Sequence, residues 1–415
     1  MYKKVAVIGA GGHVGFPFSL VLASSGYNVV GVDLSQNLCE SLNAMMVPHR
    51  EQDAEEYLQE AIEKERLYFT SKPETIADCS VVAIMIGTPV DGEGNPRVDD
   101  IFRFVELELC EFLQPQTLVV LRSTVAPGTT EQVKRIIEKN TGMVEGKDFY
   151  LVFAPERVAQ GVGIRESRLF PQLVGAFSRE GFEMAEAFFM PFVPECIELT
   201  PREAEFGKLI TNMYRYVTFA LANEFYMIGS QQNLDVHKII QSANKGYKRM
   251  NLPLPGPNVG GPCLFKDGKF LLEHIHFPEL IQSSFIINEG MPQYMFDRIV
   301  SYGGGTDQIR KIGILGATFK ADCDDTRNSL SFKFAKICKR HGIEYAFFDP
   351  YIRHPDNHWP LTDMAGFDAF IVMTPHKVFH ELYEKHIKTV PGLIIADAWK
   401  FLEDSKETTT GIFVT

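Results

Sequence analysis

The chain has 415 residues and a formal net charge of −12, so a basic surface for nucleic acid or for an anionic membrane is not expected. Hydrophobic residues make up 45% and charged residues 23%, which is typical of globular proteins. A chain of this length usually holds two or three domains. No apolar run is long enough to predict a membrane-spanning helix.

Seven cysteines are spread along the chain, with no Cys-x-x-Cys pair and no spacing typical of a zinc site. This usage favours a reduced, cytoplasmic protein without a disulfide framework and without a metal. The first residues run directly into a strand-like segment, so no signal peptide is expected.

The N-terminal segment predicts a strand, a glycine turn, a helix and a second strand. Residues 5–8 form a short β-branched run, typical of a strand that is buried on both faces. Residues 16–25 predict a helix that ends at Gly26, and residues 28–32 predict the next strand, which ends at Asp33. Strand, glycine turn and helix in this order are the context in which a glycine-rich turn binds a dinucleotide.

The turn itself, GAGGHVG, lets the backbone approach a pyrophosphate, whose charge the helix N-terminus favours. It reads G-x-G-x-x-x-G, one residue longer than the usual spacing, or else Ala10 replaces the first glycine, so the role of each glycine is open. An acid about 20 residues further on should bind the ribose hydroxyls, and Asp33 fits. No arginine follows Asp33 closely, so we expect NAD rather than NADP; a tight turn without a dinucleotide is the alternative. The residues expected at the cofactor here are Gly9, Gly11, Gly12, His13, Val14, Gly15 and Asp33.

Further strand-like runs stand at residues 80–86, 117–123 and 149–155, and helix-like segments such as 54–67 separate them. This alternation predicts a parallel, doubly wound sheet. Polar residues follow these strands, where ligands of such sheets bind. Hydroxyl groups follow the second run, and Glu156 follows the third.

The pattern changes after Pro201. Residues 203–233 predict one long helix, and more helix follows to about residue 302, interrupted by a Pro/Gly-rich loop at residues 251–263. Lys208 and Asn212 stand four residues apart, on one face of the long helix. The plainer interpretation is that Lys208 and Asn212 face solvent and that Glu156 forms a surface ion pair with Arg157.

A glycine-rich linker at residues 303–306 leads to a second strand–glycine–helix unit from Lys311, with strand-like runs at 344–349, 368–374 and 393–398. The predicted fold is therefore α/β, with two Rossmann-like doubly wound domains joined by a central long-helix region. The predicted boundaries are 1–200, 201–302 and 303–415.

The stretch VGGPCLFKDG, residues 259–268, places Cys263 behind two glycines and a proline. The glycines leave the thiol accessible, Lys266 could lower its pKa, and Asp267 could hold Lys266 or a water. A buried structural cysteine is the alternative.

Together these motifs resemble the UDP-glucose/GDP-mannose dehydrogenase family, the nucleotide-sugar 6-dehydrogenases. The resemblance runs from Val5 to about Trp399. It comprises the glycine turn, GTP at 87–89, STVAPGT at 123–129, APER at 154–157, the helix with Lys208 and Asn212, the cysteine segment and FKADCDDTRNS at 319–329.

The resemblance implies an N-terminal NAD domain, a central helical region for dimerisation and a C-terminal domain for the UDP half of the substrate. It implies a homodimer or a higher homo-oligomer. It also implies a reaction, in which the C6 hydroxymethyl group of a nucleotide sugar is oxidised twice to a carboxylate while two NAD are consumed.

The resemblance assigns the catalytic roles as well. Lys208, Asn212 and Asp267 surround the alcohol oxygen, where they hold a water as base or stabilise an oxyanion. Cys263 adds to the aldehyde and forms a thiohemiacetal, which is oxidised to a thioester. Glu156 activates the water that hydrolyses the thioester, and Thr124 positions that water.

The remaining assignments are ligand contacts. Arg249 matches an arginine that reaches the substrate of the partner subunit. The residues implied at the cofactor are Thr88, Pro89, Ser123, Thr124, Lys266 and Arg327. Those implied at the substrate are Glu156, Arg157, Gln160, Lys208, Asn212, Arg249, Pro257, Gly260, Gly261, Phe319 and Lys320.

The motifs disagree about the sugar. APERV, with Gln160 where UDP-glucose enzymes usually carry a second glutamate, and LPGPNVGG resemble the subgroup that acts on UDP-N-acetylhexosamines, UDP-ManNAc or UDP-GlcNAc. PCLFKD resembles the UDP-glucose subgroup. We expect a UDP-N-acetylhexosamine, with UDP-glucose as the alternative.

Two other classes of protein share parts of this pattern. One is a sensor of NAD or UDP-sugar without catalysis, which would lack the nucleophile or the base. The other is a two-electron dehydrogenase of the 6-phosphogluconate type, which needs no thiol.

Overall fold

The computed structural model describes residues 4–89, 91, 97–272, 276–362, 366–388, 390–402 and 412–414. They divide into two compact units. Unit 1 comprises residues 4–211 and 269–272, and unit 2 comprises residues 212–268 and the described residues from 276 onward. The domain boundaries expected from the sequence stay a prediction.

Unit 1 is built on one eight-stranded sheet. Its strands are β1 (Lys4–Ile8), β2 (Asn28–Val32), β3 (Leu67–Thr70), β4 (Val81–Ile84), β5 (Leu118–Leu121), β6 (Tyr150–Phe153), β7 (Gln172–Ala176) and β8 (Cys196–Leu199). Their order in space is β3-β2-β1-β4-β5-β6-β7-β8. Every pair is parallel except β6 with β7, which is antiparallel, so the expected parallel sheet contains one reversal.

Helices connect these strands. They are α1 (Gly15–Ser24), α2 (Gln36–Asn43), α3 (Ala54–Glu63), α4 (Asp99–Phe104), α5 (Cys110–Phe112), α6 (Thr129–Thr141), α7 (Gly163–Glu166) and α8 (Arg179–Phe189). A π-helical turn, Val105–Leu109, joins α4 to α5, and a 3₁₀ helix spans Pro73–Asp78.

The sheet of unit 1 is covered on both faces. Val5 and Val7 of β1 belong to one hydrophobic cluster, whereas Ala6 and Ile8 belong to a second cluster on the opposite face. This double burial explains why the strands read as continuous apolar runs rather than as alternating patterns.

Four helices follow β8. They are α9 (Pro201–Gln231), α10 (Val236–Asn244), α11 (Gly261–Leu272) and α12 (Glu279–Tyr302). The long helix predicted at residues 203–233 is therefore present as α9. Among the described residues, no helix is long and apolar enough to cross a membrane.

Unit 2 contains a second sheet, whose pairs are all parallel. Its strands are β9 (Lys311–Leu315), β10 (Glu344–Phe348), β11 (Ala369–Val372), β12 (Ile394–Ala396) and β13 (Ile412–Val414), in the order β10-β9-β11-β12-β13. The associated helices are α13 (Ser331–Arg340) and α14 (Val378–Leu382), with a 3₁₀ helix at Thr306–Gln308 and a π-helical turn at Tyr383–Ile387.

The predicted fold class is confirmed, and the differences are local. Each strand predicted from an apolar run is present, while β3, β7, β8 and β13 were not predicted. The loop expected at residues 251–263 ends earlier, because α11 begins at Gly261 and includes Cys263. Pro262 tolerates this position, since the first turn of a helix needs no backbone N–H bond from it.

Candidate functional site

In unit 1 the chain adds strands on one side of β1 (β2 and β3) and then returns to add β4 on the other side. In doubly wound sheets, ligands bind at such a switch point, beyond the carboxyl ends of the strands. The glycine turn at residues 9–15 follows β1, and the segment with Thr88 and Pro89 follows β4. The residues predicted from two separate motifs therefore lie at the switch point of one sheet.

The structure resolves the roles of the glycines in the lengthened turn. Gly9 has φ +81°, and a Cβ there would lie 2.9 Å from the carbonyl oxygen of Met85. A Cβ at Gly15 would lie 2.1 Å from the carbonyl oxygen of Gly9, so Gly15 permits close packing of the turn against α1. Gly12 is exposed, and a Cβ there would meet its nearest neighbour at 3.4 Å. Gly12 thus occupies the open part of the turn.

Asp33 lies at the end of β2, beside this turn. Its Oδ2 accepts a hydrogen bond of 3.0 Å from the backbone N–H of Gly11, and its Oδ1 accepts one of 3.1 Å from the N–H of Ser35. These bonds hold the half-buried carboxylate at the edge of the turn, where a ribose would lie if a pyrophosphate occupied the turn.

Helix α1 begins at Gly15 without a side chain that caps its N-terminus. The end of such a helix favours an anion, and the neighbouring glycines leave its backbone accessible. The uncapped helix, the open turn and the oriented Asp33 together fit a dinucleotide with a free ribose.

Hydroxyl residues lie at the ends of the next strands. Thr88 is buried, and its Oγ1 donates a hydrogen bond of 2.8 Å to the carbonyl oxygen of Thr124. Ser123, directly after β5, is also buried, whereas Thr124 is half-buried. The bond from Thr88 fixes the backbone of the segment that carries Thr124.

Glu156 lies after β6 and pairs with a residue that the sequence analysis missed. Its Oε2 accepts a hydrogen bond from the guanidinium of Arg122, whose side chain is 2% exposed, and its Oε1 accepts one of 2.9 Å from the backbone N–H of Arg157. The interpretation of Glu156 and Arg157 as a surface ion pair is therefore wrong, because the guanidinium of Arg157 donates to the carbonyl oxygen of Pro171. Burial lowers the pKa of Arg157.

Gln160 lies further along the same segment. Its Nε2 is 2.8 Å from Nδ1 of His13 in the glycine turn. Two predicted sets, one after β1 and one after β6, are thereby joined by a side-chain contact within unit 1.

Lys208 lies on α9 and is 9% exposed, which excludes the interpretation that it faces solvent. Glu205, one turn earlier, is fully buried. Its carboxylate accepts hydrogen bonds from the N–H of Gly128 (2.5 Å) and from the N–H and hydroxyl of Thr130 (2.7 and 2.5 Å), at the start of α6. Within unit 1, Glu205 therefore ties the part of α9 that carries Lys208 to the segment that follows Thr124.

In unit 2, Asn212 and Asp267 form a buried pair. Nδ2 of Asn212 donates a hydrogen bond of 2.5 Å to Oδ2 of Asp267, and the two residues are 6% and 0% exposed. Oδ1 of Asp267 has no hydrogen-bond partner among the described residues and lies 3.7 Å from Nζ of Lys266. The pair thus holds one buried carboxylate oxygen without a hydrogen bond from the described residues.

Cys263 lies in the first turn of α11 and is exposed, so the interpretation as a buried structural cysteine is wrong. A thiolate is stabilised near a helix N-terminus, because the backbone N–H groups there carry partial positive charge. The sulfur also contributes to the raised pKa of Arg327, after the larger effect of the hydrogen bond to Asp325. Cys263 therefore combines access with positive surroundings.

The two glycines before Cys263 are required by close packing. Gly260 has φ +117°, and a Cβ there would lie 2.9 Å from the ring of Tyr216. Gly261 has φ +57°, and a Cβ there would lie 2.3 Å from Cδ2 of Phe319. The cysteine segment is thereby packed directly against Phe319, which was predicted to contact the substrate.

Asparagines hold the preceding loop in place. Asn244 exchanges two hydrogen bonds with the backbone of Leu252, of 2.7 and 3.0 Å, and Asn223 accepts one of 2.9 Å from the N–H of Gly256. Pro257 is buried within this loop, whereas Arg249 before it is exposed.

Phe319, Lys320 and Arg327 lie in the segment between β9 and α13. The N–H of Phe319 bonds to the carbonyl oxygen of Asp325 at 3.0 Å, and Arg327 pairs with the Asp325 carboxylate at 2.7 Å. Phe319 and Lys320 are half-buried, and Arg327 is exposed. The segment is therefore a closed turn that presents these side chains.

A buried pair fixes both sides of this segment. Asp349 accepts hydrogen bonds from the N–H groups of Ala317 (2.7 Å) and Thr318 (3.2 Å), and it lies 3.0 Å from Nε2 of His376. Nδ1 of His376 accepts a hydrogen bond of 2.9 Å from the N–H of Asp322. Burial raises the pKa of Asp349, but the hydrogen bond and charge interaction with His376 and the hydrogen bonds from the N–H groups of Ala317 and Tyr351 outweigh burial and hold this pKa below its usual range.

Sequence reasoning missed Arg122, Glu205, Asn258, Asp349 and His376. Arg122 and Asp349 each stand directly after a buried strand, where a charged residue would be costly without a partner. That position is a signal that could have been used. The contacts of Glu205 and Asn258 required the fold.

A large cavity of about 910 Å³ lies elsewhere in unit 2, along the edge strand β10. Lys311, Lys339, Tyr345 and Phe367 are among the residues that line it, and none of the residues predicted to contact the substrate does. Among the described residues, no group of three or more His, Cys, Asp or Glu side chains is placed to hold a metal.

Three family models match the chain. The UDP-glucose/GDP-mannose dehydrogenase family, NAD binding domain, matches residues 3–193. The central domain of the same family matches residues 202–289, and its UDP binding domain matches residues 313–404.

Individual relatives agree with these matches. The UDP-N-acetyl-D-mannosamine dehydrogenase of Pyrococcus horikoshii is 32% identical over 97% of this chain and 96% of its own. Among solved structures, a UDP-D-ManNAc dehydrogenase from Pyrococcus horikoshii has a TM-score of 0.89 at 29% identity, with 99% of each chain covered. The UDP-N-acetyl-mannosamine dehydrogenase of Staphylococcus aureus has a TM-score of 0.84 at 28% identity, with 99% of this chain and 98% of that chain covered.

The matches cover the dinucleotide-type switch point in unit 1 and the cysteine and Phe319 segments in unit 2. The chain therefore belongs to the UDP-glucose/GDP-mannose dehydrogenase family, and it is an NAD-dependent nucleotide-sugar dehydrogenase.

Proposed function

We propose that the protein oxidises the C6 hydroxymethyl group of a UDP-N-acetylhexosamine to a carboxylate, with UDP-ManNAc as the preferred substrate. The observation that carries the proposal is the exposed Cys263 at the N-terminus of α11, two residues after Gly261, which packs against Phe319 in the part that matches the UDP binding domain. The choice of sugar rests on the relatives, which are named UDP-N-acetyl-D-mannosamine dehydrogenases.

In the first oxidation, the C6 hydroxyl loses its proton and the carbon loses a hydride. The cofactor supplies the hydride acceptor in both oxidations. Oδ1 of Asp267 is the available acceptor of the Asn212–Asp267 pair, and it takes the proton directly or through a water. The Lys208 ammonium and the Asn212 amide stabilise the negative charge on oxygen.

In the second oxidation, the Cys263 thiolate forms a C–S bond with the aldehyde carbon to give a thiohemiacetal. Loss of a hydride from that carbon to the cofactor, and of the hydroxyl proton to the base that served the first oxidation, gives a thioester. A water then adds to the carbonyl, the C–S bond breaks, and the thiol and the carboxylate are released.

Glu156 is the proposed base for this water, and Thr124 positions it. Since Oε1 and Oε2 of Glu156 already accept hydrogen bonds, the water must bind a remaining lone pair of the carboxylate. Arg122 holds the carboxylate in one orientation for this task.

The test is NADH formation with UDP-ManNAc, UDP-GlcNAc, UDP-GalNAc, UDP-glucose and GDP-mannose. We expect two NADH per UDP-ManNAc and a Cys263→Ser variant that releases no acid. A preference for UDP-glucose, which the PCLFKD motif would explain, would change the proposed substrate but leave the proposed reaction unchanged. Activity with none of these sugars overturns the proposed substrate, and undiminished acid release by Cys263→Ser overturns the thioester mechanism.

We further propose a homodimer formed through α9. Within unit 2 this helix exposes large apolar side chains, such as Tyr214 (57%), Phe225 (43%) and Ile228 (51%). Such a stripe along one helix is typical of an interface between subunits. Sedimentation of Phe225→Glu and Ile228→Glu variants tests it, and wild-type protein that sediments as a monomer contradicts it.

A reducing compartment suits a thiol-dependent activity, so we place the enzyme in the cytoplasm. Fluorescence microscopy of a tagged chain tests this location.

A further inference from the structure

The order β10-β9-β11 gives the second sheet its own switch point, between β9 and β11. Thr318 follows β9, and Thr374 follows β11. A ligand of a doubly wound sheet would be expected in the crevice between these strand ends. In this chain, the side chain of Asn258 lies there.

Asn258 belongs to the loop before Cys263 and is 3% exposed. Its Nδ2 lies within hydrogen-bond distance of the carbonyl oxygen of Thr318 (2.9 Å) and the hydroxyls of Ser329 (3.0 Å), Ser331 (3.2 Å) and Thr374 (3.0 Å). Its Oδ1 accepts a hydrogen bond of 2.8 Å from the N–H of Leu330. One amide therefore contacts both strand ends and the start of α13.

Two of the surrounding hydroxyls are oriented to accept from Asn258. Ser331 donates to the carbonyl oxygen of Gly316 at 2.9 Å, and Thr374 donates to that of Thr318 at 2.5 Å. Their lone pairs are thus left for the two N–H groups of the amide. The N–H groups and the carbonyl oxygen of this buried amide therefore have partners, which favours one rigid arrangement.

Asn258 is placed between two parts of the proposed site. It stands five residues before Cys263, and its partner Thr318 directly precedes Phe319, against which Gly261 is packed. We infer that Asn258 is a positioning residue, which locks the cysteine segment into the switch-point crevice so that the placement of the Cys263 thiol depends on the nucleotide-binding segment at Phe319 and Lys320. This inference rests on the proposed function, because it takes that segment to bind UDP.

The test uses UDP alone, which lacks the sugar that would shield the thiol directly. UDP binding is measured by calorimetry, and the rate of Cys263 alkylation by iodoacetamide is measured with and without UDP. We expect UDP to change the wild-type alkylation rate by about fivefold or more, which is a typical coupling between linked sites. In Asn258→Ala, UDP should still bind, but the alkylation rate should no longer respond.

Thr374→Val serves as a second variant, because it keeps the side-chain volume while it removes one hydroxyl from the network. It should reduce the response in the same direction. Asn244→Ala is the matched control, since Asn244 holds the same loop at Leu252 without contact to the strand ends. This control should keep the response, whereas a merely structural role of loop asparagines would abolish it in both variants.

The outcomes separate the inference from the proposed function. Absence of UDP binding to the wild type overturns the UDP site itself. Binding without any effect on alkylation, or a response in Asn258→Ala equal to that of the wild type, overturns the inference while the proposed function stands.

Discussion

The amide of Asn212 and the carboxylate of Asp267 form a buried hydrogen bond of 2.5 Å that leaves one carboxylate oxygen unbonded by the described residues. An Asp267→Asn variant can keep the bond, because the new amide oxygen can accept from Asn212. It loses the ability to take a proton, and also the negative charge that lies 3.7 Å from the ammonium of Lys266. We expect kcat to fall by about two to three orders of magnitude, while the melting temperature stays close to that of the wild type because the hydrogen bond is kept. Steady-state NADH formation and thermal unfolding measure the two quantities, and an unchanged kcat would remove Asp267 from the proton path.

Arg122 is expected to stabilise unit 1 through Glu156. Breaking one side of a buried ion pair leaves an uncompensated charge, so Arg122→Met should cost about 3 kcal/mol of unfolding free energy. The double variant Arg122→Met/Glu156→Gln should recover part of this loss, since neither charge then remains. Urea unfolding of the wild type, the two single variants and the double variant gives the coupling. Strict additivity of the two single effects would show that the pair contributes no coupling.

Glu205 predicts a pH dependence of stability. Burial raises the pKa of its carboxyl above the usual value of 4.5, and the hydrogen bonds from Thr130 and Gly128 only partly offset this effect. The folded state therefore binds the proton more tightly than the unfolded state. The resulting stability is fully present below the usual pKa and is lost as pH rises through the folded-state pKa.

A Glu205→Gln variant lacks this titration. The difference in unfolding free energy between wild type and variant should thus shift against the wild type as pH rises above 4.5. Urea unfolding at a series of pH values measures the difference. Glu203→Gln, an exposed site on the same helix, gives the contrast, because hydrogen bonds from Thr200 lower the pKa of Glu203 and the difference for this variant should shift in the opposite direction. A difference that is constant with pH would contradict the raised pKa.

Gly261→Ala tests the packing of the cysteine segment. The alanine must adopt φ +57°, and its Cβ would overlap the ring of Phe319. Gly246→Ala is the control, because Gly246 has φ +73° but no atom within 4 Å of the added Cβ. Both variants should lose about 1 kcal/mol or more from backbone strain. Only Gly261→Ala should lose activity, by about a hundredfold, because a small displacement of reacting groups is costly. Equal losses of kcat in the two variants would show that strain alone is responsible.

Much of the fold could be predicted from the sequence, because buried parallel strands read as apolar runs that need no alternation. The strands β3 and β8 were not predicted, because Leu67–Thr70 and Cys196–Leu199 are short and include exposed positions at the edges of the sheet. The antiparallel direction of β7 was not predicted either, because strand direction depends on the path of the chain and not on local composition.

Some residues of the candidate site could likewise be predicted from the sequence, and others could not. Glycines, strand-end hydroxyls and Cys263 carry local signals of backbone freedom and reactivity, so they were found. Arg122, Glu205 and Asn258 act through partners that are distant in sequence, such as Glu156, Thr130 and Thr374. A polar residue that is buried with a distant partner looks like any polar residue until the fold brings the two together.

The burial of the cysteines has a practical consequence. All seven are described, none forms a disulfide, and Cys263 is exposed while the other six are buried or half-buried. Burial raises the pKa of Cys79 and Cys110 to about 11 and that of Cys196 and Cys338 to about 12, and it raises the pKa of Cys39 and Cys323 as well. At neutral pH a maleimide or a fluorophore should therefore react with one position of the native chain. The protein can be labelled at the proposed reaction centre, or coupled there to a solid support, without replacing a single other cysteine.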